Sequence, residues 1–288
     1  MALTRQLGAE TSRQFKHYFA DGCLLGGSVD GEVVAISALG LESARIAELY
    51  VSPRWRRQGL GSAMLDATER LAVSFGITSL YVPPTHGPAK FWTACGYHQV
   101  AGQGQRVRKL ARRQTRYGAR IAGLLERLGI SADYGQKHRL RLQGECAELQ
   151  SIGKDALGRE TFLAPPAAQA WQAMSLAAAD DGVELQPASA FRSVDYQAGI
   201  IERKLARGLG MDEILAVSAA PGYSEHHSGR AVDVTTPGTR SLEIDFESTP
   251  AYRWLHQHAA AHGFRLSYPR DNRHGIAYEP WHWYYTDG

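Results

Sequence analysis

Two polar stretches near the C-terminal end constrain the fold more than anything else in the chain. The first is Ser224-Glu225-His226-His227-Ser228-Gly229-Arg230-Ala231-Val232-Asp233, and the second is Glu279-Pro280-Trp281-His282. Arg230 to Thr235, rich in β-branched residues and preceded by the Ser228-Gly229 break, predicts a turn feeding a strand. On that strand Val232 and Val234 share one face, and Ala231, Asp233 and Thr235 share the other. A carboxylate inside a strand needs a partner, because an unpaired buried charge is very costly.

A metal ion would supply that partner. His226 lies seven residues before Asp233, an odd offset that puts the two on opposite faces of a straight strand. Gly229 lets the chain turn so that they converge, and Pro280 does the same for Glu279 and His282. His226, Asp233 and His282 would then hold zinc through two imidazoles and one carboxylate, a set that leaves the fourth tetrahedral position open. Glu279 beside it would handle protons. Spacing alone does not separate this arrangement from ordinary polar residues at a surface turn.

The pattern Ser224-x-His226-x-x-Gly229-x-Ala231-x-Asp233, followed by Glu279-Pro280-Trp281-His282-Trp283, resembles the LAS metallopeptidases, in particular the VanY-type D-alanyl carboxypeptidases. Ala190-Phe191-Arg192-Ser193, with Gln197 shortly after, resembles their upstream segment. The resemblance covers roughly residues 146–288. It implies zinc on the triad, a catalytic role for Glu279, and Arg192 facing the substrate and the developing oxyanion or holding the terminal carboxylate. It implies secondary substrate contacts for Gln197 and Ser224. Tyr284 departs from the pattern, since relatives often carry arginine there. The sequence assigns no metal to His227, nor to His258 and His262, which share a helical face but lack a third ligand.

The N-terminal part carries a different signature. Gly22 to Gly40 predicts a hairpin turning at Asp30-Gly31, Ala44 to Val51 a third strand, and Leu60 to about Phe75 a helix with Leu65, Leu71 and Ala72 on its apolar face. Between them lies Arg56-Arg57-Gln58-Gly59-Leu60-Gly61. A glycine-bearing loop opening a helix is a ready anion site, and also an ordinary tight turn. With a strand and Phe91-Trp92-x-x-x-Gly96-Tyr97 downstream, the frame resembles the GNAT acyltransferases. That resemblance implies that Arg56 to Gly61 hold the pyrophosphate of acetyl-CoA, and that the Val51 backbone binds its pantetheine arm. Trp92 stands where that family often places a tyrosine, and only about twenty residues precede the hairpin.

Between the two parts, Arg106, Arg108, Lys109, Arg112, Arg113, Arg116, Arg120 and Arg127 concentrate positive charge. Ile121, Leu124, Leu125 and Leu128 predict a linker helix with one apolar stripe, stopped at Gly129. No aromatic interleaving accompanies the charge, and the net charge of the 288-residue chain is only +3, which argues against nucleic acid as a partner. No apolar run reaches transmembrane length, and Met1 to Glu10 lacks the apolar core of a signal peptide. Three widely spaced cysteines give no disulfide framework. These features point to the cytoplasm and away from a membrane.

The expected architecture is α+β in two domains: residues 1–104 GNAT-like and acyl-CoA-binding, 105–145 a basic linker helix, and 146–288 a VanY-like zinc carboxypeptidase. The expected activity is release of C-terminal D-alanine from peptidoglycan stem peptides. A cytoplasmic site favours the LD type acting on tetrapeptides over the DD type acting on pentapeptides. The competing expectation is a GNAT acetyltransferase acting on a small amine or wall fragment, with the C-terminal domain as a binding module.

Overall fold

The computed structural model describes residues 18, 23–83, 86–100, 104–110 and 116–286. Most of the segment before the first hairpin, and Arg112 and Arg113 of the basic run, lie outside them. The chain divides into two compact units, residues 1–120 with 132–141 and residues 121–131 with 142–288.

The first unit is built on a six-stranded sheet of order β1-β2-β3-β4-β6-β5. Its strands are β1 (Leu24–Val29), β2 (Glu32–Gly40), β3 (Arg45–Val51), β4 (Ser79–Val82), β5 (His98–Gln99) and β6 (Arg106–Lys109). Asp30 and Gly31, at φ of 49° and 79°, form the two-residue turn whose backbone twist suits a hairpin. Neighbours run antiparallel except β3 and β4, which are parallel and are connected through helix α1 (Leu60–Ser74). Met64, Leu65, Leu71 and Ala72 bury one face of α1 against the sheet. Helix α2 (Ala89–Ala94) follows β4.

The expected linker is divided. Its first residues form β6, so the sheet extends past residue 104. Helix α3 (Arg116–Leu128) spans the division, with Ile121, Leu124, Leu125 and Leu128 buried. In the second unit Ile121 lies against Gly222, where a Cβ would sit 2.7 Å from its side chain and φ is +85°. Residues 132–141 return to the first unit, where Arg139 pairs with Glu42 at 2.8 Å and the Arg141 guanidinium lies over Phe75.

The second unit starts with a hairpin of β7 (Gln150–Lys154) and β8 (Glu160–Leu163). Its main sheet is antiparallel, of order β11-β12-β10-β9, from β9 (Gln186–Ser189), β10 (Ala231–Thr235), β11 (Phe264–Leu266) and β12 (His282–Tyr285). Helix α4 (Pro165–Asp180) opens on prolines and packs Trp171, Met174 and Ala178 against Val232, Val234, Leu255, Phe264 and Trp283. Past its end the Val183 N–H donates to the Ala178 carbonyl. Helix α5 (Val194–Ala206) is capped by Ser193, whose hydroxyl accepts from the Tyr196 N–H. Helix α6 (Pro250–His258) is capped in the same way by Thr249, and a 3-10 turn carries the chain from Ala259 to His262.

Candidate metal centre

The register of the second sheet brings the two polar stretches together. Asp233 on β10 lies directly opposite His282 on β12, and Ser189 flanks Asp233 from β9. Residues opposite one another in an antiparallel pair put their side chains on one face. Val232 and Val234 point the other way, into the core. His226 arrives from the 3-10 turn Glu225–Ser228, which ends at Gly229 with φ of +67°. A Cβ there would sit 2.9 Å from the Ala164 nitrogen, so the reversal needs glycine. Glu279 precedes β12 in a turn closed by the His282 N–H on the Glu279 carbonyl.

One potential ligand atom from each of His226, Asp233 and His282 lies within 4.8 Å of the others, and all three residues are buried. The His226 Nδ1–H donates to the Ala190 carbonyl at 2.6 Å, which leaves the Nε2 lone pair facing inward. That nitrogen has no hydrogen bond although Asp233 Oδ2 stands 3.2 Å away. A lone pair opposed to a carboxylate oxygen calls for a cation between them. Burial holds the His226 imidazole at a pKa of about 4, against an ordinary 6.5, so it is neutral and able to ligate.

His282 is held at both ring nitrogens. Its Nε2–H donates to Glu225 Oε2 at 2.9 Å, and Nδ1 lies 3.0 Å from Asp233 Oδ1 and 3.6 Å from Glu279 Oε2. Burial alone would lower its pKa, but hydrogen bonds to Asp233 and Glu225 outweigh burial and raise it to about 10. A metal on Nδ1 would take the place of that proton, with Nε2–H still fixed by Glu225. Burial likewise acts to raise the Asp233 carboxyl, yet the two histidines hold it well below its ordinary range. The donor set of two imidazoles and one carboxylate with an open side is that of a catalytic zinc site rather than a calcium or magnesium site.

The other expected residues surround this cluster. A small cleft, with about 290 Å³ of empty volume, is lined by Arg192, Gln197, Ser224, His226, Glu279 and His282 among others. Arg192 donates to Asp233 Oδ2 and to Gln197 Oε1, each at 3.3 Å, and Gln197 donates to the Ala219 carbonyl at 2.8 Å. Burial raises the Glu279 carboxyl to a pKa of about 7. His227 has no place in the cluster: Nδ1 bonds the Arg192 carbonyl at 2.7 Å, and Nε2 accepts from the Gly222 N–H at 3.1 Å. His258 and His262 instead lie near the Trp254 ring, at 4.8 and 6.2 Å between centroids.

Glu225 was not singled out from the sequence. Its carboxylate joins His282 to Arg265, whose guanidinium donates to Oε1 at 3.3 Å and also lies over the Tyr284 ring at 5.1 Å. Its position next to His226 in the first stretch was the available signal.

In the first unit, Val51, Arg56, Arg57, Gly59 and Gly61 line an open cleft together with His86, Phe91 and Trp92. Gly59, at φ of +84°, caps α1. Gln58 and Leu60 are not among the lining residues; Gln58 is exposed and donates to the Arg54 carbonyl at 3.3 Å. The Val51 carbonyl accepts from Arg56 Nε at 2.9 Å and is thus engaged within the protein. Trp92 is buried and its indole N–H donates to the His86 carbonyl.

A sheet that sets such a donor set beside a half-buried glutamate defines a metallopeptidase-type centre. Residues 160–288 match the family model described as D-alanyl-D-alanine carboxypeptidase, VanY. The bifunctional D-Ala-D-Ala dipeptidase and D-Ala-D-Ala carboxypeptidase VanXYC of Enterococcus gallinarum is 31% identical over 137 residues, 44% of this chain and 68% of that protein. The D-alanyl-D-alanine carboxypeptidase of Enterococcus faecalis (strain ATCC 700802 / V583) is 34% identical over 120 residues, 38% of this chain. The chain spans only 43% of that relative's length. A solved structure of the LD-carboxypeptidase LdcB is 30% identical, with a TM-score of 0.45, over 49% of this chain and 69% of that one. The chain belongs to the VanY family. Residues 3–97 match the acetyltransferase (GNAT) family model, so the N-terminal part is GNAT-like.

Proposed function

We propose that the protein is a zinc-dependent carboxypeptidase that releases C-terminal D-alanine from peptidoglycan stem peptides. The observation that carries this is the inward lone pair of His226 opposed to the Asp233 carboxylate, with Glu279 beside them. A bound zinc ion would supply Lewis acidity and a more acidic water at this point. Glu279, within 3.6 Å of His282 and with its pKa near neutrality, takes a proton from the attacking water and returns it to the leaving amine. Arg192, half-enclosed by Asp233 and Gln197, offers its guanidinium to charge that develops on the scissile carbonyl oxygen. Ser224 and Gln197 border the substrate.

The two enterococcal relatives are named for D-Ala-D-Ala, which supports the pentapeptide at least as well as the tetrapeptide favoured from the sequence. Cys23, Cys95 and Cys146 are free thiols, which supports a reducing compartment such as the cytoplasm. The test is mass-spectrometric detection of D-alanine from muropeptide tetrapeptide and pentapeptide, with and without chelator. Chelator-sensitive release is expected, from tetrapeptide for the LD reading and from pentapeptide for the DD reading. No release from either by zinc-loaded protein would refute the carboxypeptidase.

A second reading is acetyl-CoA binding by the first unit, favoured by the open cleft at the start of α1 with Arg56 and Arg57 on its wall. Calorimetric titration with acetyl-CoA tests it, and absence of binding would leave that unit without this role.

A further inference from the structure

Helix α5 contributes Gln197 to the cleft beside the metal cluster. Gln197, Ile201 and Lys204 recur on it at helical spacing, the first two buried and the third half-buried. Gln197 holds the Ala219 carbonyl, and Lys204 Nζ donates to Ser218 Oγ at 2.8 Å. Val217, Ser218 and Ala219 all line the cleft. The ammonium group therefore stands behind a hydroxyl that faces the substrate space.

Charge in this region is unevenly committed. Arg192 already donates to Asp233 and Gln197. Among the described residues, no carboxylate lies within ion-pairing distance of Lys204. Burial and the nearby Arg192 lower the lysine's pKa, while Glu279 opposes them, so Lys204 feels both charged groups of the cleft. An ammonium has three donors, and Ser218 takes one of them. The serine oxygen, by accepting from lysine, has its own O–H available for an acceptor in the cleft.

We propose that Lys204 and Ser218 form the subsite for the free α-carboxylate of the substrate's last residue, leaving Arg192 to the scissile carbonyl. The inference rests on the carboxypeptidase reading and divides between two cations the roles that the sequence left together on Arg192. A cation screened by one hydroxyl favours a peptide acid over the corresponding amide, which makes this pair the determinant of exopeptidase selectivity.

The test is binding by the full-length, zinc-loaded chain in a Glu279→Ala background, with and without Lys204→Met. The probes are one stem tetrapeptide and one pentapeptide, each as free acid and as C-terminal amide, titrated by calorimetry. Lys204→Met is expected to weaken the free acid about 10- to 100-fold, as loss of a charged hydrogen bond does, and to leave the amide unchanged. Zinc content should stay at the parent level. In the otherwise native chain the same change should raise KM for D-alanine release and leave kcat within a few-fold. Equal weakening of acid and amide, or no weakening of the acid, would overturn the subsite, as would failure of the parent to prefer the acid. Acid-selective, Lys204-dependent binding without any D-alanine release would refute the carboxypeptidase and leave the subsite standing.

Discussion

The two clefts of this chain are made from opposite materials. In the second unit the chemistry lies in side chains: Asp233, His226 and His282 are each no more than 3% exposed, and each is fixed by a named partner. In the first unit the cleft owes its form to a turn of backbone, with Gly59 at positive φ and exposed Arg56 and Arg57 along its wall. A buried polar cluster demands complete pairing, so each substitution in it leaves a charge or lone pair stranded. An open anion site is solvated and screened, and it degrades by small steps.

The largest expected effect therefore belongs to Asp233→Ala. It removes a ligand and strips Arg192 and both histidines of their shared carboxylate, so zinc content by elemental mass spectrometry should fall to near zero. The chelator-sensitive activity should go with it, while any acetyl-CoA binding by the first unit stays as it was. Loss of both would break the division between the units.

Glu225→Gln comes next. It keeps the shape and weakens the hold on His282 Nε2–H, so zinc affinity in competition with a chelating dye should drop about 10- to 100-fold. Unchanged affinity would show that Glu225 is only a partner of Arg265.

Glu279→Gln sharpens the contrast through pH. In chelator-treated protein the folded Glu279 carboxyl holds its proton up to about pH 7, whereas its ordinary value is 4.5. The folded state thus binds the extra proton between these values, and stability falls as pH rises through that window. The penalty is absent below about pH 4.5 and constant above about pH 7. At 1.36 kcal/mol per pKa unit the full difference is about 3 kcal/mol. Glu279→Gln should accordingly raise the melting temperature of the metal-free protein at pH 8 and scarcely change it at pH 4. A gain of equal size at both pH values would contradict a protonated Glu279.

The smallest effect is expected in the first unit, where Arg56→Ala or Arg57→Ala should weaken acetyl-CoA by only about two- to fivefold each, as for exposed ion pairs.

Much of the metal centre was legible because it is built on local rules. The alternation that separates Val232 and Val234 from Asp233, and the turn required at Gly229, are backbone consequences of the sequence within ten residues. The pairing of Asp233 with His282 required tertiary register, which no local pattern carries; the family resemblance stood in for it. Glu225 stayed hidden because its role depends on which way His282 turns its ring. The linker helix depends on tertiary context in the same way. Its apolar stripe at Ile121, Leu124, Leu125 and Leu128 was visible, but the surface it buries against was not.

The most direct measurement is zinc-edge X-ray absorption on the full chain after reconstitution with one equivalent of zinc. The account predicts a site of nitrogen and oxygen donors at about 2.0–2.2 Å with two imidazoles and no sulfur, and loss of the signal from one imidazole in His226→Ala. A sulfur donor at about 2.3 Å, or an unchanged spectrum in that variant, would contradict it.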